Sequence, residues 1–271
     1  MSSILHPTDL SSGSEAAFLL ALRLAMVSHG KLTVLHVTDD GSTDLYDLPG
    51  VRDTLVRWGY LGSHDDMSAF EALGFAVRKV VKDGQNPVAV CLDHLERHPA
   101  DLIVLATHEE NGRSGWLKRR VAEPLSRGAG EPCLLVPHGS KPLVDPATGE
   151  VYLRRFLVPV ADKPDPQRAL EAAMALADRS GIGDAEFTLL HVGNADDAPH
   201  VEPLQRDGWS FTQLVREGDV VDTIVRLAES VRADVVVMTT AGHDGFLDAL
   251  RGSTTERVLR ALRCPLLAVP S

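Results

Sequence analysis

This chain repeats itself, and that limits its fold more than any other feature. Asp101 lies 22 residues before Glu123, and Asp234 lies 22 residues before Glu256. Glu123 and Glu256 each stand 9 residues ahead of a proline, Pro132 and Pro265. The halves then close alike, in Pro132-Cys133-Leu134-Leu135-Val136-Pro137 and Pro265-Leu266-Leu267-Ala268-Val269-Pro270. Upstream, Lys31-Leu32-Thr33-Val34-Leu35-His36-Val37 is echoed by Glu186-Phe187-Thr188-Leu189-Leu190-His191-Val192. So many matched offsets imply a duplicated domain, and 271 residues leave room for two domains of ordinary size. Gly, Pro and polar residues crowd the stretch 138–150, which reads as a linker. Domain 1 is therefore expected over 1–138 and domain 2 over 152–271.

Within each half, short β-branched runs alternate with segments of helical period. For domain 2 the expected strands are 154–160, 185–192, 211–216, 234–239 and 265–269, with helices over 165–180, 196–208, 219–231 and 253–263. Leu102-Ile103-Val104-Leu105 and Val235-Val236-Val237-Met238 are apolar on both faces, as strands covered by helices on each side must be. This alternation predicts an α/β chain of two tandem doubly wound domains, each with a mostly parallel five-stranded sheet. On such sheets ligands sit beyond the carboxyl ends of the strands, at the topological switch point.

Composition narrows the partners. A formal net charge of −11 opposes nucleic acid or an anionic membrane as a bulk partner. No apolar run approaches the ~18 residues of a membrane span, and the N-terminus has neither a basic region nor a signal-like apolar one. Cys91, Cys133 and Cys264 are odd in number and far apart, which fits a reducing cytoplasm.

The loop after the fourth strand of domain 2 runs from Thr239 through Gly242 to Gly252-Ser253-Thr254-Thr255-Glu256. Ser253 and Glu256 have capping-box spacing at a helix start, and a helix N-terminus beside glycines can receive an anion. The same glycines can equally do no more than shape turns. Gly242 followed after nine residues by Gly252-Ser253, the flanking Leu250-Arg251-Gly252-Ser253-Thr254-Thr255-Glu256-Arg257-Val258-Leu259-Arg260, the closing Cys264–Pro270 run and the opening His6-Pro7-Thr8-Asp9-Leu10-Ser11 together resemble the universal stress protein family. The chain resembles that family's tandem members over nearly its whole length.

That resemblance implies ATP or another adenine nucleotide, with Mg accompanying it, as ligand and a regulatory or protective, non-catalytic role. It also implies dimer-like packing of the halves through their last strands, with Leu134–Val136 against Leu266–Val269 as an internal pseudo-dimer and further homodimerisation open. In ATP-binding members the motif G-x-x-G-x(9)-G-[ST] cradles the phosphates, and an Asp after the first strand holds adenine and ribose. Carried onto domain 2, the implied contacts are Val160, Val192, Thr239, Gly242, Gly252, Ser253 and Thr254. Thr239 replaces the first Gly, and Ala161 stands at the Asp position with Asp162 one residue late. In domain 1 the implied contacts are Pro7, Thr8, Asp9 and Val37, but Glu109, Arg119 and Arg120 fall opposite Gly242, Gly252 and Ser253. Domain 1 thus keeps the adenine side of the motif and domain 2 the phosphate side.

Three functions follow: a nucleotide-binding regulator, a nucleotide-free scaffold for an unknown protein partner, and a slow ATPase with Asp244 as its carboxylate. Cys91, His94 and His98 share one helix flank, but Val88, Cys91, Leu92 and Leu95 form a core stripe there, which places the histidines at its solvent edge and predicts no metal. His36 and His191 recur late in a strand, as structural histidines would. Trp58, Trp116 and Trp209 are expected in helices or loops as packing residues.

Overall fold

The computed structural model describes residues 2–39, 41–107, 122–240 and 254–271. The chain divides into two compact units, Met1–Glu131 with Pro142–Tyr152, and Pro132–Lys141 with Leu153–Ser271. In the first unit β1 (Ser3–Thr8) leads through α1 (Glu15–Val27) to β2 (Lys31–Thr38). Two short helices, α2 (Val51–Arg57) and α3 (Met67–Ala72), precede β3 (Ala76–Asp83), and α4 (Pro87–Arg97) connects it to β4 (Leu102–Thr107). Helix α5 (Ala122–Gly128) follows. The strands stand in the order β3-β2-β1-β4, all parallel. Leu102, Ile103, Val104 and Leu105 are all buried, as their two-faced apolarity requires. Helix α1 buries nearly every side chain from Ala17 to Met26, so its surroundings, not amphipathic patterning, hold it.

The second unit contains β5 (Cys133–Pro137), β6 (Arg155–Pro159), α6 (Pro166–Ser180), β7 (Ala185–Val192), β8 (Trp209–Arg216), α7 (Val220–Ser230), β9 (Val235–Thr240), α8 (Thr254–Ala261) and β10 (Leu266–Pro270). Its strands follow the order β5-β10-β9-β6-β7-β8. All neighbours are parallel except β5 and β10, which pair antiparallel with Leu266 opposite Leu135 and Leu267 opposite Leu134. The two terminal strands named from the sequence do face one another. Helix α6 shows why its bounds were readable: Asp165 Oδ1 accepts from Gln167 N at 3.0 Å, Pro166 opens the first turn, and Gly181 closes the helix at φ 72°.

Three expectations need correction. The stretch 138–150 is not free linker, because residues 142–152 fold onto the first unit as a strap. Val144 bridges Val151 antiparallel, and Asp145 Oδ1 accepts from Ala147 N and Thr148 N at 2.8 and 2.9 Å. Trp58 Nε1 donates to Pro146 O at 3.2 Å, and Gly149, at φ 74°, lies against the Trp58 ring. The helix expected over 196–208 is absent; only a 3-10 turn, Ala195–Asp197, forms there. Pro199 and Pro203 lack the N–H groups that a helix interior needs. Trp209 lies on strand β8, tilted against Phe187 with ring centroids 5.3 Å apart, and not in a loop or helix.

Candidate functional site

The order of strands reverses between β1 and β4 in the first unit and between β6 and β9 in the second. A crevice opens at such reversals because successive crossovers leave on opposite faces of the sheet. The groups at these strand ends are therefore the ones to read.

At the first switch point the chain leaves β1 through a polar turn. Thr8 Oγ1 accepts from Leu10 N and meets Ser14 Oγ, both at 3.1 Å. Asp9 Oδ1 accepts from Ser11 N at 3.0 Å and from Ser11 Oγ at 2.7 Å. These Asx- and ST-type bonds hold Leu10 at φ 61°, a region that non-glycine residues rarely occupy. His36 Nδ1 donates to Thr8 O at 2.8 Å across the β1–β2 pairing. Pro7, Thr8 and Val37 are buried, and Asp9 is half-buried at the rim. Beneath them His6 is fully buried, with Nδ1 2.8 Å from Val104 O and no partner for Nε2 among the described residues. Burial lowers its pKa to about 4, against smaller raising effects of the Val104 bond and Asp9.

The second switch point repeats the scaffold without the polar turn. Thr8 pairs with His36, while Pro159 pairs with Leu190, so Val160 and Ala161 occupy the places of Thr8 and Asp9. His191 Nδ1 donates to Val160 O at 3.2 Å, repeating the His36–Thr8 bond. That recurrence meets the structural role expected for both histidines. No hydroxyl or carboxylate follows β6 immediately: Val160 is buried and Ala161 exposed. On the neighbouring strand, Phe156 pairs with Val235 and Leu157 with Val236. Continued three residues beyond Leu157, that register brings Val160 level with Thr239.

Thr239 is half-buried and paired with Val269, and Thr240 Oγ1 donates to Val269 O at 3.3 Å. Val192 ends β7 beside β6, half-buried, and Thr254 opens α8, exposed. The structure thus brings Val160, Val192 and Thr239 to one end of one sheet. Gly242, Gly252 and Ser253 lie outside the described residues, as do Asp244, Trp116, Glu109, Arg119 and Arg120.

Elsewhere, His94 is buried at 3% exposure, which corrects its expected place at the solvent edge, while His98 is exposed. The two rings stand 4.8 Å apart. Desolvation foremost, then Lys82, His98, Arg78 and Lys31, lowers the His94 pKa to about 4. Burial pushes the Cys91 thiol up to about 12, which makes it unreactive. Among the described residues no group of three or more His, Cys, Asp or Glu is placed to hold a metal ion, and no helix is long and apolar enough to cross a membrane.

At the opposite end of the second sheet, sequence reasoning missed a structural pair. Asp234 Oδ2 accepts from Arg154 N and Arg155 N, both at 2.9 Å, and its Oδ1 meets Arg155 Nη2 at 3.0 Å. The signal was visible, since Asp101, its partner in the repeat, accepts from Ser3 N at 2.6 Å.

The sequence profile of the universal stress protein family matches residues 1–137 and 200–270. The chain belongs to that family. Among curated relatives, universal stress protein Slr1230 of Synechocystis sp. is 24% identical across 98% of this chain and 99% of its own. Universal stress protein MJ0531 of Methanocaldococcus jannaschii is 43% identical over 53 residues, which span 20% of this chain and 31% of that one. Of solved structures, a universal stress protein from Archaeoglobus fulgidus superposes with a TM-score of 0.66 at 19% identity, covering 100% of this chain and 99% of its own. A putative universal stress protein from Pseudomonas aeruginosa gives 0.63 at 17% identity, over 100% of this chain and 93% of that one. As a universal stress protein, the chain has a mostly parallel α/β architecture and carries the domain in tandem.

Proposed function

We propose that this universal stress protein is a non-catalytic, cytoplasmic regulator that binds an adenine nucleotide at the switch point of its second unit and acts through a protein partner. Residues 1–138 and 152–271 are the two copies of the ancestral domain. The observation that carries the reading is the join between β9 and α8. In sequence, the run Gly242-x(9)-Gly252-Ser253 lies between the end of β9 and the start of α8, and Val160, Val192 and Thr239 stand at that end of the sheet. A glycine-bordered connection into a helix N-terminus suits phosphate oxygens, because backbone N–H groups there are unsatisfied. Mg would accompany the phosphates, keeping several of its waters.

A second reading holds for the first unit. There Asp9 already serves its own turn through Ser11, and the phosphate-loop positions hold Glu109, Arg119 and Arg120. That copy is a scaffold for a protein partner without nucleotide.

The test is mass spectrometry of ligands carried through purification, with a thermal-shift panel of ATP, ADP, AMP and cyclic AMP. Ligand at about 100 times its Kd stabilises by about 2.7 kcal/mol, so the shift is measurable. Gly252→Val and Ser253→Phe should abolish it, since a Cβ or a ring would fill the space that phosphate needs. No shift with any adenine nucleotide at millimolar concentration would refute the sensing role. Steady phosphate release abolished by Asp244→Ala would replace it with slow hydrolysis.

A further inference from the structure

Near the switch-point end of the second sheet, the fold leaves one buried nitrogen unanswered. His191 is 9% exposed, and its Nδ1 lies 3.2 Å from the carbonyl oxygen of Val160. A carbonyl only accepts, so Nδ1 carries the hydrogen, and in the neutral form of the ring Nε2 is then an acceptor. Nε2 is buried and has no partner among the described residues. A buried acceptor left in this state is costly to the free protein, and a donor arriving on a ligand removes that cost.

Two differences between the copies point to the same atom. Thr38 lies two residues beyond His36, whereas Gly193 lies two residues beyond His191. A Cβ placed on Gly193 would stand 2.8 Å from Nε2, so glycine lets the imidazole lie against the chain there without a clash. The second difference is Ala161, which the strand register sets opposite Asp9. The second copy has therefore lost one acceptor after its first strand and leaves another unpartnered, among the described residues, at the end of the adjacent strand.

We propose that His191 Nε2 is the acceptor with which the second unit recognises a nucleoside, taking a hydrogen from either the 6-amino group of adenine or the ribose 2′-hydroxyl. The inference rests on the nucleotide reading above and adds to it the residue that selects the nucleoside. Phosphate contacts alone would not distinguish one base or sugar from another.

The test is calorimetry on the full chain at pH 8, with ATP, purine riboside triphosphate, which lacks the 6-amino group, and 2′-deoxy-ATP. His191→Asn is the informative variant: its amide nitrogen can stand where Nδ1 stands and still donate to Val160 O, while nothing occupies the place of Nε2. Wild type should bind ATP about 5–15-fold more tightly than one of the two analogues, the worth of one neutral hydrogen bond. The analogue that binds less well tells amine from hydroxyl. His191→Asn should bind ATP and that analogue alike, and His191→Gln, whose amide oxygen can reach the Nε2 position, should keep the preference. A preference unchanged in His191→Asn would overturn the assignment and leave nucleotide binding standing, as would a wild type indifferent to both analogues. Absence of ATP binding in wild type would overturn both. If His191→Asn loses cooperative unfolding, the wild-type ratios and His191→Gln decide alone.

Discussion

Replacing Asp234 should destabilise the second unit more than any other single carboxylate deletion considered above. The residue is 5% exposed, and its carboxylate oxygens accept from two backbone N–H groups at 2.9 Å as well as from the Arg155 guanidinium at 3.0 Å. Asp234→Ala leaves all of these donors without that acceptor at the entrance of β6. Hydrogen bonds to a charged acceptor are worth about 1.5–3 kcal/mol each where buried, and the Arg155 pair must be discounted because its guanidinium side is partly solvated. The expected loss is then about 3–4 kcal/mol, within the usual cost of breaking a buried pair from one side. For a unit of roughly 130 residues that corresponds to a midpoint lowered by about 10–15 °C. Asp234→Asn keeps an amide oxygen for the backbone donors and should lose only about 1–2 kcal/mol. Urea unfolding read by pulsed hydrogen exchange on peptides from β6 and β9 follows this unit alone. A loss below about 1 kcal/mol for Asp234→Ala, on the scale of a surface substitution, would refute the reasoning.

Two further outcomes follow from buried groups. His6 has a folded pKa of about 4, below its ordinary value of 6.5, so the unfolded chain binds the extra proton between those values. Stability from this group is complete above pH 6.5 and falls as pH drops to 4, by at most about 3 kcal/mol; urea titrations of His6→Gln should show that part of the slope removed. Gly149→Val combines an unfavourable positive φ with a Cβ 2.7–3.0 Å from the Trp58 ring. It should cost about 2–4 kcal/mol and open the 145–149 turn to proteolysis. Gly139→Ala, at φ 74° with nothing within 4 Å, should cost only about 1–2 kcal/mol.

Much of the fold was legible because its signals are local. The doubled apolar runs of β4 and β9 need burial on both faces, and Asp165-Pro166 with Gly181 marks both ends of α6. The 142–152 strap was not legible, since Leu143, Val144 and Val151 look like isolated apolar residues, and Trp58, which meets the turn at Pro146 and Gly149, is distant in the chain. His94 was misplaced for a similar reason: helical spacing indicates a flank, but its burial is decided by the elements that α4 packs against, among them α5 and β2. For the site, the family resemblance carried onto the second repeat led to Val160, Val192 and Thr239, which lie at one sheet end. The free nitrogen of His191 was not readable, because its ring direction depends on the pairing that sets Val160 beside it.

The two compact units trade segments. Strand β5 is encoded with the first repeat yet pairs with β10, and the chain then returns to lay residues 142–152 against Trp58 before starting the second repeat. Splitting the gene between the repeats would therefore not yield two independent proteins. A fragment ending at 138 would lack the hairpin that covers its own tryptophan, and one beginning at 152 would leave a hydrophobic strand margin open to pairing with other chains. The duplication has become irreversible at the level of folding: each copy now depends on a stretch of polypeptide inherited from its twin's side of the junction.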